Sequence, residues 1–305
     1  MSTKIVFFGT HDFGAGILDV LIGSKKYDLV AVVTQPDRPV GRRHELQQSA
    51  VKILAVRHGL HVLQPELLKT FDIGHMAFDL TVVCQYGLII PKNILDTPKY
   101  GSINVHTSLL PKYRGASPIQ SAIASGEVET GVTIMQMDEK MDHGPILSQA
   151  KISIGPDETY RDLQKKMLPV AQQLLLETLP GYLEGKIKPR PQNENEATFC
   201  KIFSREDGKI NWQKTAEEIY NQYRGLTPWP GVWTMWNSKR LKLLKIRTNS
   251  RRLPAGKIET ENQQIFVGTS NGAIEILSLQ LEGKKEQTNS SFIAGHPKFD
   301  STSLT

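Results

Sequence analysis

Cysteine is nearly absent: Cys84 and Cys200 are the two in 305 residues, too few for a disulfide framework or, by themselves, for a metal site. One has apolar neighbours and the other falls in a linker-like stretch, so both are expected to be free thiols. No apolar run approaches the roughly 20 residues that a membrane-spanning helix needs. The amino terminus, Met1-Ser2-Thr3-Lys4, leads straight into a strand pattern rather than a secretory leader, and the expectation is a cytoplasmic protein. Also missing are a phosphate-binding P-loop, a metal-ligand histidine spacing and a Gly-x-Ser-x-Gly elbow. Gly9-Thr10-His11-Asp12-Phe13-Gly14-Ala15-Gly16 follows a strand and opens a helix. Its glycine spacing is not the dinucleotide fingerprint, which weighs against NAD. His44, His58, His61, His75 and His296 have no partner identifiable by spacing.

What is present is ordinary globular material, 39% hydrophobic and 22% charged, in a chain long enough for two domains. Short apolar runs at 4–8, 29–34, 80–84 and 103–106 read as buried strands, with helical patterns at 13–22 and 49–58 between them. That alternation predicts an α/β domain over 1–189 with a mainly parallel, Rossmann-like sheet. A long helix over 159–183 should close it, kinked or broken at Pro169. Pro189-Arg190-Pro191 and a polar Asn/Glu stretch mark 190–208 as a linker. Beyond it, a helix at 215–223 and strands at 232–236, 240–246, 264–267 and 273–279, some parted by turns such as Ser270-Asn271-Gly272, predict a small OB-like β-barrel over 209–305. The polar tail after Lys285 is expected to be partly disordered.

Chemistry concentrates at Asn104-Val105-His106 and at Met141-Asp142-His143-Gly144. If 103–106 finish a buried strand, alternation sets Asn104 and His106 on one face while Ile103 and Val105 pack on the other. Asp142, in a glycine-flanked turn, could return to the imidazole or to a water. An amide, an imidazole and a carboxylate together can manage a proton and a developing oxyanion, which is acyl-transfer chemistry without an obvious Ser or Cys nucleophile. The residues alone equally allow a strand-end cap and a commonplace turn.

Charge is uneven. Residues 190–305 hold 17 Lys/Arg against 12 Asp/Glu and so carry five of the six net positive charges. Within them Lys239, Arg240, Lys242, Lys245, Arg247, Arg251 and Arg252 follow one another with no intervening acid. Such a cluster suits phosphate contacts, and it equally suits a solvated strand face.

The run Ile103-Asn104-Val105-His106-Thr107-Ser108-Leu109-Leu110-Pro111-Lys112-Tyr113-Arg114-Gly115-Ala116-Ser117-Pro118-Ile119, with Met141-Asp142-His143-Gly144-Pro145-Ile146-Leu147, resembles the core signature of the 10-formyltetrahydrofolate-dependent formyltransferases. Thr34-Gln35-Pro36-Asp37-Arg38-Pro39-Val40-Gly41-Arg42-Arg43, Gly131-Val132-Thr133-Ile134-Met135-Gln136-Met137-Asp138, Pro228-Trp229-Pro230 and Gly283-Lys284-Lys285 are similar to marks of the branch that formylates methionyl-tRNA. The resemblance implies a Rossmann-like catalytic domain joined to an OB-like barrel that grips initiator tRNA. It implies 10-formyltetrahydrofolate as donor, no metal, no covalent enzyme intermediate, and a monomer.

Carried over position by position, Asn104, His106 and Asp142 match the catalytic residues. Ser108, Leu109, Leu110 and Pro111 match a folate-contacting stretch, and Tyr86, Gly87, Leu88 and Ile89 a loop lining the pterin pocket. Arg42 matches the tip of the loop that enters the acceptor stem. With Arg43 and the basic strand residues Lys239, Arg240, Lys242, Lys245 and Arg247 it forms the expected tRNA contact. The chain departs from the family at His11, where Pro is usual, at His143, where Thr is usual, and at Arg43-His44-Glu45, which replaces a more basic run. Its ending, Ala294-Gly295-His296, is also unusual. Two other functions fit the same fold: formylation of a small amine such as an amino-sugar nucleotide, and RNA binding without catalysis.

Overall fold

The computed structural model describes residues 2–40 and 45–305, so Arg42 and Arg43 lie outside the described residues. By contact the chain forms two compact units, one of residues 1–118, 129–153 and 164–201, the other of residues 119–128, 154–163 and 202–305. The stretch read as a linker is thereby divided, 190–201 packing within the first unit and 202–208 within the second.

The first unit carries β1 (Thr3–Gly9), β2 (Tyr27–Val33), β3 (Arg38–Val40), β4 (Glu45–Gln47), β5 (Val62–Leu63), β6 (Leu80–Cys84), β7 (Ser102–His106), β8 (Arg114–Gly115), β9 (Glu129–Gln136), β10 (Ile146–Ser153) and β11 (Phe199–Cys200). Seven of them form one sheet in the order β10-β9-β7-β6-β1-β2-β5. The five from β7 to β5 run parallel, and β9 is antiparallel to both β7 and β10. Strand β6 and the last five residues of β1 are buried throughout, as expected of central parallel strands covered on both faces. Sheet order reverses between β1 and β6, and ligands of such sheets collect outside the carboxyl ends of strands at that point.

Helix α1 (Asp12–Ser24) buries Phe13, Gly14, Ile17, Leu18 and Leu21, one stripe at helical spacing. At Gly14 a Cβ would stand 2.6 Å from the Cys84 carbonyl oxygen, so this glycine lets the helix close onto β6. Helices α2 (Ala50–Arg57), α3 (Lys92–Leu95), α4 (Pro118–Ala124) and α5 (Tyr160–Leu183) follow. Of the kink or break expected at Pro169, the break is absent: α5 continues through Pro169 and Pro180. Both prolines are exposed, while Met167, Ala171, Leu175 and Leu179 are buried at every fourth position. The carbonyls that lose their partners therefore face water, and the buried stripe holds the helix together.

In the second unit α6 (Ala216–Leu226) begins at a capping box, in which Thr215 and Glu218 satisfy each other's backbone N–H. Strands β12 (Val232–Trp236), β13 (Lys239–Asn249), β14 (Ile258–Glu261), β15 (Gln264–Gly268), β16 (Ala273–Leu281) and β17 (Gln287–Thr288) form one antiparallel sheet, ordered β12-β13-β16-β15-β14 with β17 on β16. Register shifts in β13 at Leu243/Lys245 and Lys245/Ile246 bend it, as bulges do. The tail expected to be disordered is built in. Helix α7 (Asn289–Gly295) places Phe292 in the core, and Phe299 and Leu304 join it. Three apolar anchors spread through a polar sequence were enough to order it.

Candidate active site

Alternation along β7 does what its sequence predicts. Ile103 and Val105 are buried on one side, and Asn104 and His106 project from the other. The 138–145 loop brings Asp142 to them in a left-handed conformation, φ 48°. Asn104 Nδ2 donates to Asp142 Oδ1 at 3.2 Å, and His106 Nδ1 stands 3.5 Å from the same oxygen. Gly115 N–H donates to the other carboxylate oxygen at 2.8 Å. His106 Nε2 lies 3.0 Å from the Tyr113 carbonyl. A carbonyl can only accept, so Nε2 carries a proton and Nδ1 is the nitrogen turned toward Asp142. The three residues first singled out are thus brought together, with Asn104 and His106 converging on one oxygen.

The loop after β7 is held from below. Thr133, fully buried, donates its hydroxyl to Ser108 O at 2.7 Å, and that hydroxyl accepts from Leu110 N at 3.1 Å. Gln149 Nε2 donates to Leu110 O at 2.8 Å and to Thr133 Oγ1 at 2.9 Å, while Ser108 Oγ donates to Lys112 O at 2.6 Å. Ser108 and Leu110 are buried, and Leu109 and Pro111 are half-buried. The loop after β6 is its neighbour, because Val83 of β6 pairs in register with Asn104 of β7 and both strands run the same way. Here the Tyr86 carbonyl accepts from Thr10 Oγ1 and Gln35 Nε2, each at 2.8 Å, and the Tyr86 ring packs edge-on to Phe8. Burial pushes the Tyr86 phenol up to about 12, and its hydroxyl finds no partner among the described residues. Gly87, Leu88 and Ile89 are exposed beyond it.

Sequence reading missed the residues that brace this site from 190–200. Arg114 is buried and makes paired bonds to Glu194, Nη1 to Oε2 at 3.0 Å and Nη2 to Oε1 at 2.6 Å. This contact holds the Glu194 carboxyl below its ordinary range, so the pair persists as the pH falls into mildly acid values. Gln192 Nε2 donates to the carbonyls of Asp142 at 2.9 Å and Gly144 at 2.7 Å. A polar Asn/Glu run gave no signal of this. His143 does not reach Asp142; its Nδ1 is 2.5 Å from Asp138 Oδ2 and its Nε2 3.6 Å from Glu194 Oε1.

The basic strand β13 is less bare than its sequence. Arg247 makes a two-point contact with buried Glu275 of β16, Nε to Oε2 at 2.7 Å and Nη2 to Oε1 at 2.9 Å. Arg251 is gripped by Glu259 and Glu261, and Arg240 lies over the Trp233 ring at 4.2 Å with Glu206 at 3.5 Å. Lys239, Lys242 and Lys245 are exposed and carry no ion pair among the described residues.

A mainly parallel sheet thus sets an amide, an imidazole and a carboxylate at its carboxyl edge, in a chain that belongs to the formyl transferases. The family model for formyl transferase matches residues 3–179, and that for the formyl transferase C-terminal domain matches 202–297. The chain is 42% identical over 301 residues to methionyl-tRNA formyltransferase of Staphylococcus aureus strain MW2, covering 96% of each chain. It is 42% identical over 308 residues to that of Pelobacter propionicus, covering 99% of this chain and 96% of the relative. It belongs to the methionyl-tRNA formyltransferase family. Among solved structures, an N-formyltransferase from Helicobacter canadensis in complex with folinic acid and dTDP-3-aminofucose shares the fold, with TM-score 0.66 and 21% identity over 94% of this chain and 100% of that one.

Proposed function

We propose that this chain transfers the formyl group of 10-formyltetrahydrofolate to the α-amine of methionyl-initiator tRNA, with Asn104, His106 and Asp142 at the reacting atoms. The observation that carries the reading is the convergence of Asn104 Nδ2 and His106 Nδ1 on a single oxygen of Asp142. An amide N–H and an imidazole that also carries a proton on Nδ1 can hold an oxyanion next to the carboxylate, which takes a proton. The exposed Leu88 and Ile89 and the backbone of the 85–89 loop suit a flat heterocycle, whose edge needs hydrogen bonds and whose faces need apolar cover. Ser108, Leu109, Leu110 and Pro111 flank the same crevice.

The neutral α-amine attacks the formyl carbon, forming a C–N bond and moving the carbonyl electron pair onto oxygen. Asn104 donates to that oxyanion from Nδ2, and His106 from Nδ1 when the ring carries both protons; one such donor is worth about 10² to 10³ in turnover. Collapse breaks the bond from carbon to N10 of the folate. Asp142, directly or through a water, moves the proton from the amine to N10. A free α-amine has a pKa of roughly 7.7–8.0, so it needs little help to be neutral. No enzyme thiol is required, and burial raises the Cys84 thiol far above its ordinary range.

The tRNA is held by the exposed Lys239, Lys242 and Lys245, together with Arg42 and Arg43. Arg240 and Arg247 serve through the backbone of β13 they brace. The same proposal places the enzyme in the cytoplasm as a monomer. The experiment is to supply 10-formyltetrahydrofolate with charged initiator or elongator methionyl-tRNA, or with an amino-sugar nucleotide, and to assay the formylated amine. Formylation of the initiator is expected; formylation of the sugar nucleotide alone would replace this reading with the small-amine one.

A further inference from the structure

Segment 190–200 is a strap fastened to both loops of the site. Arg190 exchanges two backbone bonds with Ile146, each 2.8 Å. Thr198 accepts from Arg114 N at 2.9 Å through its carbonyl and from Tyr113 N at 2.8 Å through its hydroxyl, and its N–H donates to Pro111 O at 3.2 Å. Between these ends Gln192 commits its whole amide. Its two donor bonds go to the Asp142 and Gly144 carbonyls, and its Oε1 accepts from Arg114 Nε at 3.0 Å. Reversing the amide would set oxygen against two carbonyls and NH₂ against a guanidinium, so its orientation is fixed by chemistry. The loop it holds contains Asp142 in the left-handed region, a conformation that aspartate tolerates in a turn.

We propose that Gln192 is a positioning residue for formyl transfer: by gripping the backbone of Asp142 and Gly144 while bonded to the clamped Arg114, it aims the Asp142 carboxylate at Asn104 and His106. The inference rests on the role proposed above for Asp142. Gln192 touches neither reacting partner, so its loss acts on the chemical step and leaves substrate binding alone.

The test compares Gln192→Met, which keeps the side-chain length and removes both donors, with Gln192→Glu, which keeps the contact to Arg114 and turns a carboxylate oxygen toward the two carbonyls. Single-turnover formylation of methionyl-tRNA is measured for each, alone and combined with Asp142→Asn. Both single variants are expected to slow transfer by about 10- to 100-fold, the scale of a small misplacement of a reacting group. KM for donor and for tRNA should stay within about 2-fold, the signature of a loss confined to the transition state. On the Asp142→Asn background either substitution should add less than about 2-fold, since coupled residues are not additive. If Asp142→Asn itself transfers at the parental rate, the proposed role of Asp142 fails and this inference goes with it. If Asp142→Asn is slow but the Gln192 variants are normal, raise KM alone, or slow the Asp142→Asn enzyme by their full factor, positioning by Gln192 is overturned while the reading of the site stands.

Discussion

Replacing Gly115 by Ala tests how the site is aimed. Gly115 has φ 120°, and its N–H holds Asp142 Oδ2 at 2.8 Å. A Cβ there would stand 2.2 Å from the Cys200 carbonyl oxygen and 3.3 Å from Cys200 Sγ. Carbon and carbonyl oxygen normally approach no closer than roughly 3.3 Å, so β8 and β11 must part by about 1 Å. The side chain also forces a φ that costs an L-residue about 1–3 kcal/mol. Movement of the N–H away from the carboxylate forfeits a charged hydrogen bond worth roughly 1.5–3 kcal/mol. Misplacement on the 1 Å scale costs about 10² in rate, and a 100-fold fall in single-turnover formylation is the expected result. Gly101→Ala is the control: Gly101 has φ 69° but nothing within 4 Å of the built Cβ, so it bears the backbone strain without the collision. It should lower the thermal midpoint and leave turnover alone. A Gly115→Ala enzyme that transfers within 3-fold of the parent, on the scale of the 10² expected, would refute the account of Asp142 as held by this backbone.

Thr133→Val leaves the buried Leu110 N–H and Ser108 carbonyl short of a partner; a loss of about 2–4 kcal/mol in denaturant stability and a raised KM for folate are expected, and unchanged folate KM would contradict the role of that loop. Tyr86→Phe removes a buried hydroxyl that has no partner among the described residues, so folate KM should be unchanged and stability equal or higher by up to about 1 kcal/mol, as calorimetry would show. Lys242→Ala and Lys245→Ala should each reduce the slope of log K against log salt for tRNA binding by about one unit, whereas Arg247→Ala should chiefly destabilise the second unit by stranding buried Glu275. Hydrogen bonds from Thr215 hold the Glu218 carboxyl below its ordinary range. Its folded pKa is the lower one, so the contribution of the α6 cap is full above the unfolded value and disappears as pH falls through the folded one. Glu218→Gln should flatten that acid limb in a denaturation series, and an unchanged limb would place the acid sensitivity elsewhere.

The parts of this enzyme that could be read from the chain are those in which one local pattern carries the information. Buried runs announced β1, β6 and β7, and alternation put Asn104 and His106 on one face before any coordinates. Failures came where a decision is made at long range. Pro169 left a break open beside a kink because sequence does not say which side of the helix meets water. The tail looked disordered because Phe292, Phe299 and Leu304 are sparse, though each fills the core of the second unit. Segment 190–201 looked like a linker because its bonds reach 50 residues back to Asp142 and 80 to Arg114. Arg247 looked free because its acid, Glu275, lies 28 residues on in another strand.

Backbone strain offers a route to the site that is independent of any resemblance. Among the described residues eight non-glycine positions have positive φ. Asn237-Ser238 and Asn262-Gln263 are consecutive left-handed pairs between β12 and β13 and between β14 and β15, where two-residue hairpins demand that conformation. Lys25 is the left-handed cap of α1. The three left over are Gln85, Tyr113 and Asp142. Gln85 opens the loop after β6, Tyr113 presents the carbonyl that sets the tautomer of His106, and Asp142 carries the carboxylate. Tyr113 and Asp142 sit in irregular turns and Gln85 in a bend rather than in a hairpin or a helix cap, and the contacts around them add to what the turns supply: the strap, the Thr133 hydroxyl, the Gly115 N–H. In the proposed mechanism those contacts hold Asn104, His106 and the carboxylate in place before substrate arrives, and a site that needs no rearrangement as charge develops is one that lowers the barrier.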